Sequence, residues 1–176
     1  MTSRFGVGPA VFRSGRAAGP ADTVYLGAFR REVLEAVGGF DEAFVRNQDY
    51  ELNWRLRTAG QVVWFDPAIA VEYRPRGSLP ALASQFWQFG HWKRRLLANP
   101  RSVRLRQLAA PSLLVGLVAS LVAAAVGSAL AFVVPGLYLL AVVGAALRCG
   151  GPSKRRVAMA FVTMHIAWGA GFLFGR

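Results

Sequence analysis

Asp49 is the residue best placed to do chemistry in this sequence. The stretch VYLGAFRREVLEAVGGFDEAFVRNQDYELNWRLRTAG, from Val24 to Gly60, sets its carboxylate at the opening of a helix, after a loop closed by Gly38-Gly39. A carboxylate so placed can act as a general base. It is also what a first helical turn gains from the helix dipole, with Asn47 as the cap. Glu51 and Arg55, four residues apart, read as an ordinary surface ion pair. His165 sits inside a long apolar run, where an ionisable group invites a functional reading; a neutral imidazole bonded to a neighbouring helix accounts for it. Cys149 is the single cysteine, without a disulfide partner or a nearby metal ligand. The chain has no glycine-rich phosphate loop after a strand, no Ser/His/Asp set and no cluster at metal-ligand spacing, so no metal site is expected.

The elements that must position these residues follow from punctuation. Thr23 to Ala28 is a strand candidate. Arg31 to Val37 is a short helix stopped by Gly38-Gly39, and Gln48 to Ala59 a helix stopped by Gly60. Gln61 to Phe65 and Ile69 to Tyr73 are short strands separated by the turn pair Asp66-Pro67. Ser78 caps a helix running to about Asn99, with Pro80 in its first turn. Leu79, Leu82, Phe86, Phe89 and Leu96 give that helix one apolar face. Trp87, Trp92 and the basic residues near them suit a membrane surface, and a helix packed on the domain fits the same pattern.

Charge divides the chain. The net charge is +12, yet residues 1 to 72 hold all nine acidic residues with eight basic ones, and residues 73 to 176 hold thirteen Lys or Arg and no acid. The cations flank apolar runs, as at Lys93-Arg94-Arg95 and Lys154-Arg155-Arg156, which is juxtamembrane placement. No nucleic-acid-binding motif accompanies them, so nucleic acid is not the expected partner. Leu108 to Leu147 is forty residues without a charge, enough for two crossings of a hydrocarbon core that needs about 20 helical residues each. The crossings fall at about 109–126 and 129–147, with a turn near Gly127-Ser128. A third apolar run, 157–174, is at the short end of a spanning length. The basic connections place residues 1–107 in the cytosol by the positive-inside rule, and the first thirty residues hold no apolar stretch of signal-peptide length.

Several motifs in order resemble the acceptor-side half of family 2 glycosyltransferases of the GT-A fold. A strand leads into Gly27 and the pair Arg30-Arg31, a GGFDE turn spans Gly38 to Glu42, and Gln48-Asp49 opens a helix. The stretches RNQDYELNWRLRTAG and EYRPRGSL are similar to the succinoglycan-biosynthesis type, which extends lipid-linked oligosaccharides. The family commonly has Glu-Asp where this chain has Gln48-Asp49. Its Gln-x-x-Arg-Trp element has two imperfect registers here, one starting at Gln85 and one at Gln88. The first puts Gln88 in place of Arg; the second puts His91 there and keeps Trp92.

The resemblance implies a partial GT-A α/β domain over residues 1–100, followed by an α-helical membrane region over 101–176. It implies an inverting transfer from a nucleotide-sugar to a polyprenyl-linked or polysaccharide acceptor in exopolysaccharide biosynthesis, at a bacterial-type inner membrane. Asp49 would be the base, and Gln48, Gly27, Arg30, Arg31, Gln85, Gln88, His91 and Trp92 would line the substrate. The family uses Mg²⁺ or Mn²⁺ held by an Asp-x-Asp motif, which this sequence lacks, so the nucleotide-binding half is expected in a longer parent or a partner chain. The alternative is a noncatalytic membrane subunit or degenerate transferase that binds such a partner.

Overall fold

The computed structural model describes residues 5, 17–70, 72, 76–95, 105–150 and 153–175. They form a mostly helical chain with one two-stranded sheet. In order come β1 (Gly19–Pro20), α1 (Arg31–Ala36), α2 (Gln48–Thr58), β2 (Trp64–Phe65), α3 (Leu79–Arg95), α4 (Ala109–Ala125), α5 (Val133–Arg148) and α6 (Lys154–Phe174). Single 3-10 turns, Leu105–Leu108 and Ala129–Phe132, lead into α4 and α5. The chain divides into two compact units: Met1–Pro75 with Leu96–Ser102, and Arg76–Arg95 with Val103–Arg176.

In the first unit, Ala21, Leu52, Leu56 and Val63 are buried. β1 and β2 pair antiparallel, Gly19 with Phe65 and Pro20 with Trp64, and Ala21 N–H donates to the Val63 carbonyl at 2.8 Å. The sheet is smaller than the sequence suggests. Of Gln61 to Phe65 only the last two residues are strand, and Thr23 to Ala28 is not strand at all. Leu26 interrupts that run with φ +52°, a left-handed conformation foreign to extended chain. Ile69 closes a turn on the Asp66 carbonyl at 3.2 Å instead of opening a strand; Val71 and Tyr73 lie outside the described residues.

The helices agree closely with the sequence reading. α2 ends where Gly60 takes φ +81° and Gln61 N–H returns to the Leu56 carbonyl at 2.9 Å, the left-handed stop that glycine permits. α3 is described to Arg95; Leu96 to Asn99 lie outside the described residues. α6 begins three residues earlier than the apolar run. Ser153 Oγ accepts from Arg156 N–H at 3.3 Å, which draws Lys154-Arg155-Arg156 into the first turn. Pro135 falls in the first turn of α5, where its missing N–H costs least. Ala129–Arg148 and Lys154–Phe174 are each long and apolar enough to cross a membrane, while Ala109–Ala125 is apolar and shorter.

The second unit is built on close helix contacts. A Cβ at Gly90 of α3 would collide with the Trp168 carbonyl oxygen and lie 2.7 Å from Phe172 N, and one at Gly171 would collide with the Trp87 carbonyl oxygen. Glycine at both positions lets α3 and α6 approach backbone to backbone. Phe86 packs against Trp168 at the same contact, with ring centroids 6.4 Å apart. His165 bonds to a neighbouring helix, as the sequence suggests: its Nδ1 lies 3.1 Å from the Tyr138 hydroxyl of α5.

Candidate functional site

Asp49 and Gln48 stand exposed at the amino end of α2. Asn47 precedes them at φ +61°, and its side chain caps nothing. The side-chain cap expected of Asn47 is therefore absent, although its backbone carbonyl accepts from Glu51 N–H at 3.0 Å. Asp49 Oδ1 instead accepts from Tyr50 N–H at 2.8 Å. The Gln48 amide, oriented with its nitrogen as donor, reaches the Phe44 and Val45 carbonyls at 3.0 Å each. Gln48 thus closes its own loop.

What holds α2 in place is a clamp the sequence reading undervalued. Arg55 Nε donates to Glu51 Oε1 at 2.6 Å and Nη2 to Oε2 at 2.7 Å. The same guanidinium donates to the Val37 carbonyl at 2.5 Å and, through Nη2, to the Gly39 carbonyl at 2.7 Å. Glu51 is buried, so the surface pair expected from the spacing is instead a two-sided fork joining α2 to the turn after α1. Gly38 and Gly39 take φ +80° and +70°, which turns those carbonyls toward the guanidinium. The Glu51 hydrogen bond, helped by the Glu51 and Asp41 charges and opposed by burial, raises the Arg55 pKa above its ordinary value. A second tie, Asn53 Nδ2 to Thr23 Oγ1 at 2.8 Å, fastens the other side of α2. The signal for the clamp was present in the sequence as an Arg on α2 and a paired glycine turn 16 to 18 residues earlier, but spacing alone does not say that they meet.

The other expected substrate residues are distributed. Gly27 makes room for Phe29, whose ring would lie 2.7 Å from a Cβ there and which meets Phe40 edge-on at 6.3 Å. Arg30 precedes α1 and Arg31 opens it, both exposed, and Arg31 Nε pairs with Glu35 at 2.8 Å. Gln85, Gln88, His91 and Trp92 lie on α3, in the second unit. There His91 and Trp92 meet edge-on at 5.2 Å, and the Arg95 guanidinium sits 4.4 Å over the Trp92 ring. Among the described residues no group of three His, Cys, Asp or Glu is placed to hold a metal ion.

No protein-family model matches the chain, and no solved structure matches it. One curated protein does, at 32% identity over 177 aligned residues: succinoglycan biosynthesis protein ExoA of Rhizobium meliloti (strain 1021). The alignment takes in 98% of this chain and 53% of that protein, so the chain spans about half the length of the relative it matches, a share that fits a carboxyl-terminal part. The resemblance to the succinoglycan-biosynthesis type therefore holds, and the chain is similar over nearly its whole length to a succinoglycan biosynthesis protein.

Proposed function

We propose that this chain is the acceptor-side and membrane part of a family 2 glycosyltransferase of the GT-A fold, working in exopolysaccharide biosynthesis at a bacterial-type inner membrane. The observation that carries this reading is the similarity over 98% of the chain to a succinoglycan biosynthesis protein. In the proposed reaction an acceptor hydroxyl attacks the anomeric carbon of a nucleotide-sugar. Asp49 takes the hydroxyl proton, the oxygen forms the new glycosidic bond, and the nucleoside diphosphate leaves from the opposite face with its bonding electrons. The sugar is inverted. Positioning falls to the Arg55 clamp and the Asn53 tie, which fix the helix whose first turn carries Asp49.

The chain's residues do not fit the family's divalent ion, since the sequence has no Asp-x-Asp motif and the described acids form no ligand cluster. Its own part in the reaction is the proton transfer. The nucleotide-sugar would be held by a longer parent or a partner chain. A lipid-linked acceptor suits the membrane unit, because its hydrocarbon tail can stay in the bilayer while the sugar reacts at the surface.

The test is Asp49→Asn in the full-length parent or a reconstituted pair. The substitution keeps size and removes the basic oxygen, and positioned proton transfer contributes about 10²- to 10⁴-fold to rate. Transfer should fall by that factor with the thermal midpoint unchanged. Glu32→Gln, an exposed acid in the first turn of α1, should leave the rate intact. Full turnover by Asp49→Asn would remove Asp49 from the mechanism.

A further inference from the structure

Three apolar helices in succession suggest three crossings, but the contacts of α6 describe another path. α4 and α5 form a hairpin. Gly127 takes φ +72°, Ser128 N–H returns to the Ala123 carbonyl at 3.0 Å, and a Cβ on Gly116 would lie 3.3 Å from Val134. With that register, Ala110 and Leu140, each six residues further from the turn, are level. In an up-down-up order α6 would run parallel to α4, and its carboxyl end would meet the turn between Ala125 and Ala129.

Instead the carboxyl end of α6 meets the beginning of α4. A Cβ on Gly169 would lie 2.6 Å from the Ala110 carbonyl oxygen. Phe172 and Leu173 line one open apolar cleft of about 300 Å³ with Leu108, Pro111, Ser112 and Val115. The amino end of α6 is fastened to the end of α5, where Lys154 Nζ donates to the Cys149 carbonyl. The five residues from Cys149 to Ser153 reach at most about 18 Å even when extended. Both ends of α6 are thus tied to the half of the hairpin away from the turn, its head at Cys149 and its tail at Ala110, which is level with Leu140, eight residues or about 12 Å before α5 ends. The 21 residues of α6, about 31 Å of helix, must run obliquely across that half.

The cations agree. Lys154, Arg155 and Arg156 are exposed at the head of α6. At its tail Arg94 of α3 donates to the Leu173 carbonyl at 3.1 Å, with Arg95 exposed beside it. A helix spanning the bilayer with positive clusters at both ends would put one of them on the side that the positive-inside rule disfavours. A helix that starts and finishes in one leaflet offers both clusters to the same anionic headgroups. α3, packed along α6 through Gly90 and Gly171, goes with it.

We infer that α6 makes no third crossing. The α3–α6 pair is a lipid-surface element set into the leaflet at the open end of the α4–α5 hairpin, and its partner is the anionic headgroup layer of that leaflet. This stands on helix contacts and charge and is independent of the transferase reading.

The test uses the full-length parent with a short protease-sensitive epitope inserted after Gly150 in one variant and after Gly175 in another. Both are digested in spheroplasts and in inside-out vesicles. Arg155→Cys in a Cys149→Ser background, labelled with a membrane-impermeant maleimide, marks the head of α6 without an insertion. Cleavage of both epitopes in the same preparation, the one that labels Arg155→Cys, is the expected result. Cleavage of the Gly175 epitope only in the other preparation would establish a third crossing and overturn the inference.

Discussion

α1 and α2 each carry an Arg and a Glu four residues apart, at nearly the same distance, and the two pairs do different things. Arg31 and Glu35 meet at 2.8 Å with side chains 87% and 65% exposed. Arg55 and Glu51 meet at 2.6 Å with side chains 23% and 10% exposed. In α2 the acid precedes the base, the order that favours the helix dipole; in α1 the order is reversed. Only the α2 pair has further work, since Arg55 also holds the Val37 and Gly39 carbonyls. The weight of an ion pair thus comes from its depth and from its other partners, and sequence spacing carries neither.

The largest effect expected from breaking this contrast is at Arg55. Arg55→Ala leaves the Glu51 carboxylate buried without its partner and frees two turn carbonyls. Removing one member of a buried pair costs about 3–5 kcal/mol, and the remaining exposure of the pair places the expected loss near the lower figure. Denaturant titration of the parent protein in detergent should show it. A loss under about 1 kcal/mol would mean that α2 is positioned by its apolar face alone. Transfer should fall as well, because the turn carrying Asp49 loses its anchor.

Glu51→Gln should cost less, about 1.5–3 kcal/mol, since an amide can keep one of the two hydrogen bonds but not their charge-assisted strength. Full activity at a temperature where the variant remains folded would show that Glu51 positions rather than reacts. Loss of turnover equal to that of Asp49→Asn in a folded variant would move the catalytic assignment toward Glu51.

The same contrast shows what the sequence could convey. The ends of α1 and α2 were legible, because Gly38-Gly39 and Gly60 are local signals whose effect is felt within a turn. Asp49 at a helix start was legible for the same reason, and so was the bond from His165 to another helix. The start of α6 at Lys154 was not, because the apolar run begins only at Val157. The small sheet was not, because β1 consists of a Gly-Pro pair without the alternation that marks a strand, while Leu26 breaks the run that has it. Burial of Glu51 was not legible either, since it depends on a turn that meets the helix only after folding. Nor was the path of α6. Its composition is that of a spanning helix, whereas its course is set by glycine contacts at Gly90, Gly169 and Gly171, whose partners lie between 55 and 84 residues away along the chain.

The smallest effect is expected at the α1 pair, and it bounds the comparison from below. Glu35→Gln removes the carboxylate from an exposed pair on a helix of six residues, in the less favoured order for the dipole. Exposed i, i+4 pairs contribute about 0.3–0.5 kcal/mol at best, and salt screens them over about 10 Å at 0.1 M. The midpoint of unfolding should shift within that range at low salt and not measurably at about 1 M, where the Debye length is about 3 Å. The substitution also releases the Arg31 guanidinium, which the resemblance assigns to the substrate. Transfer by Glu35→Gln should therefore persist, whereas Arg31→Gln should raise KM if that guanidinium meets the acceptor or donor. A destabilisation at Glu35 as large as that at Glu51 would show that depth is not what separates the two pairs.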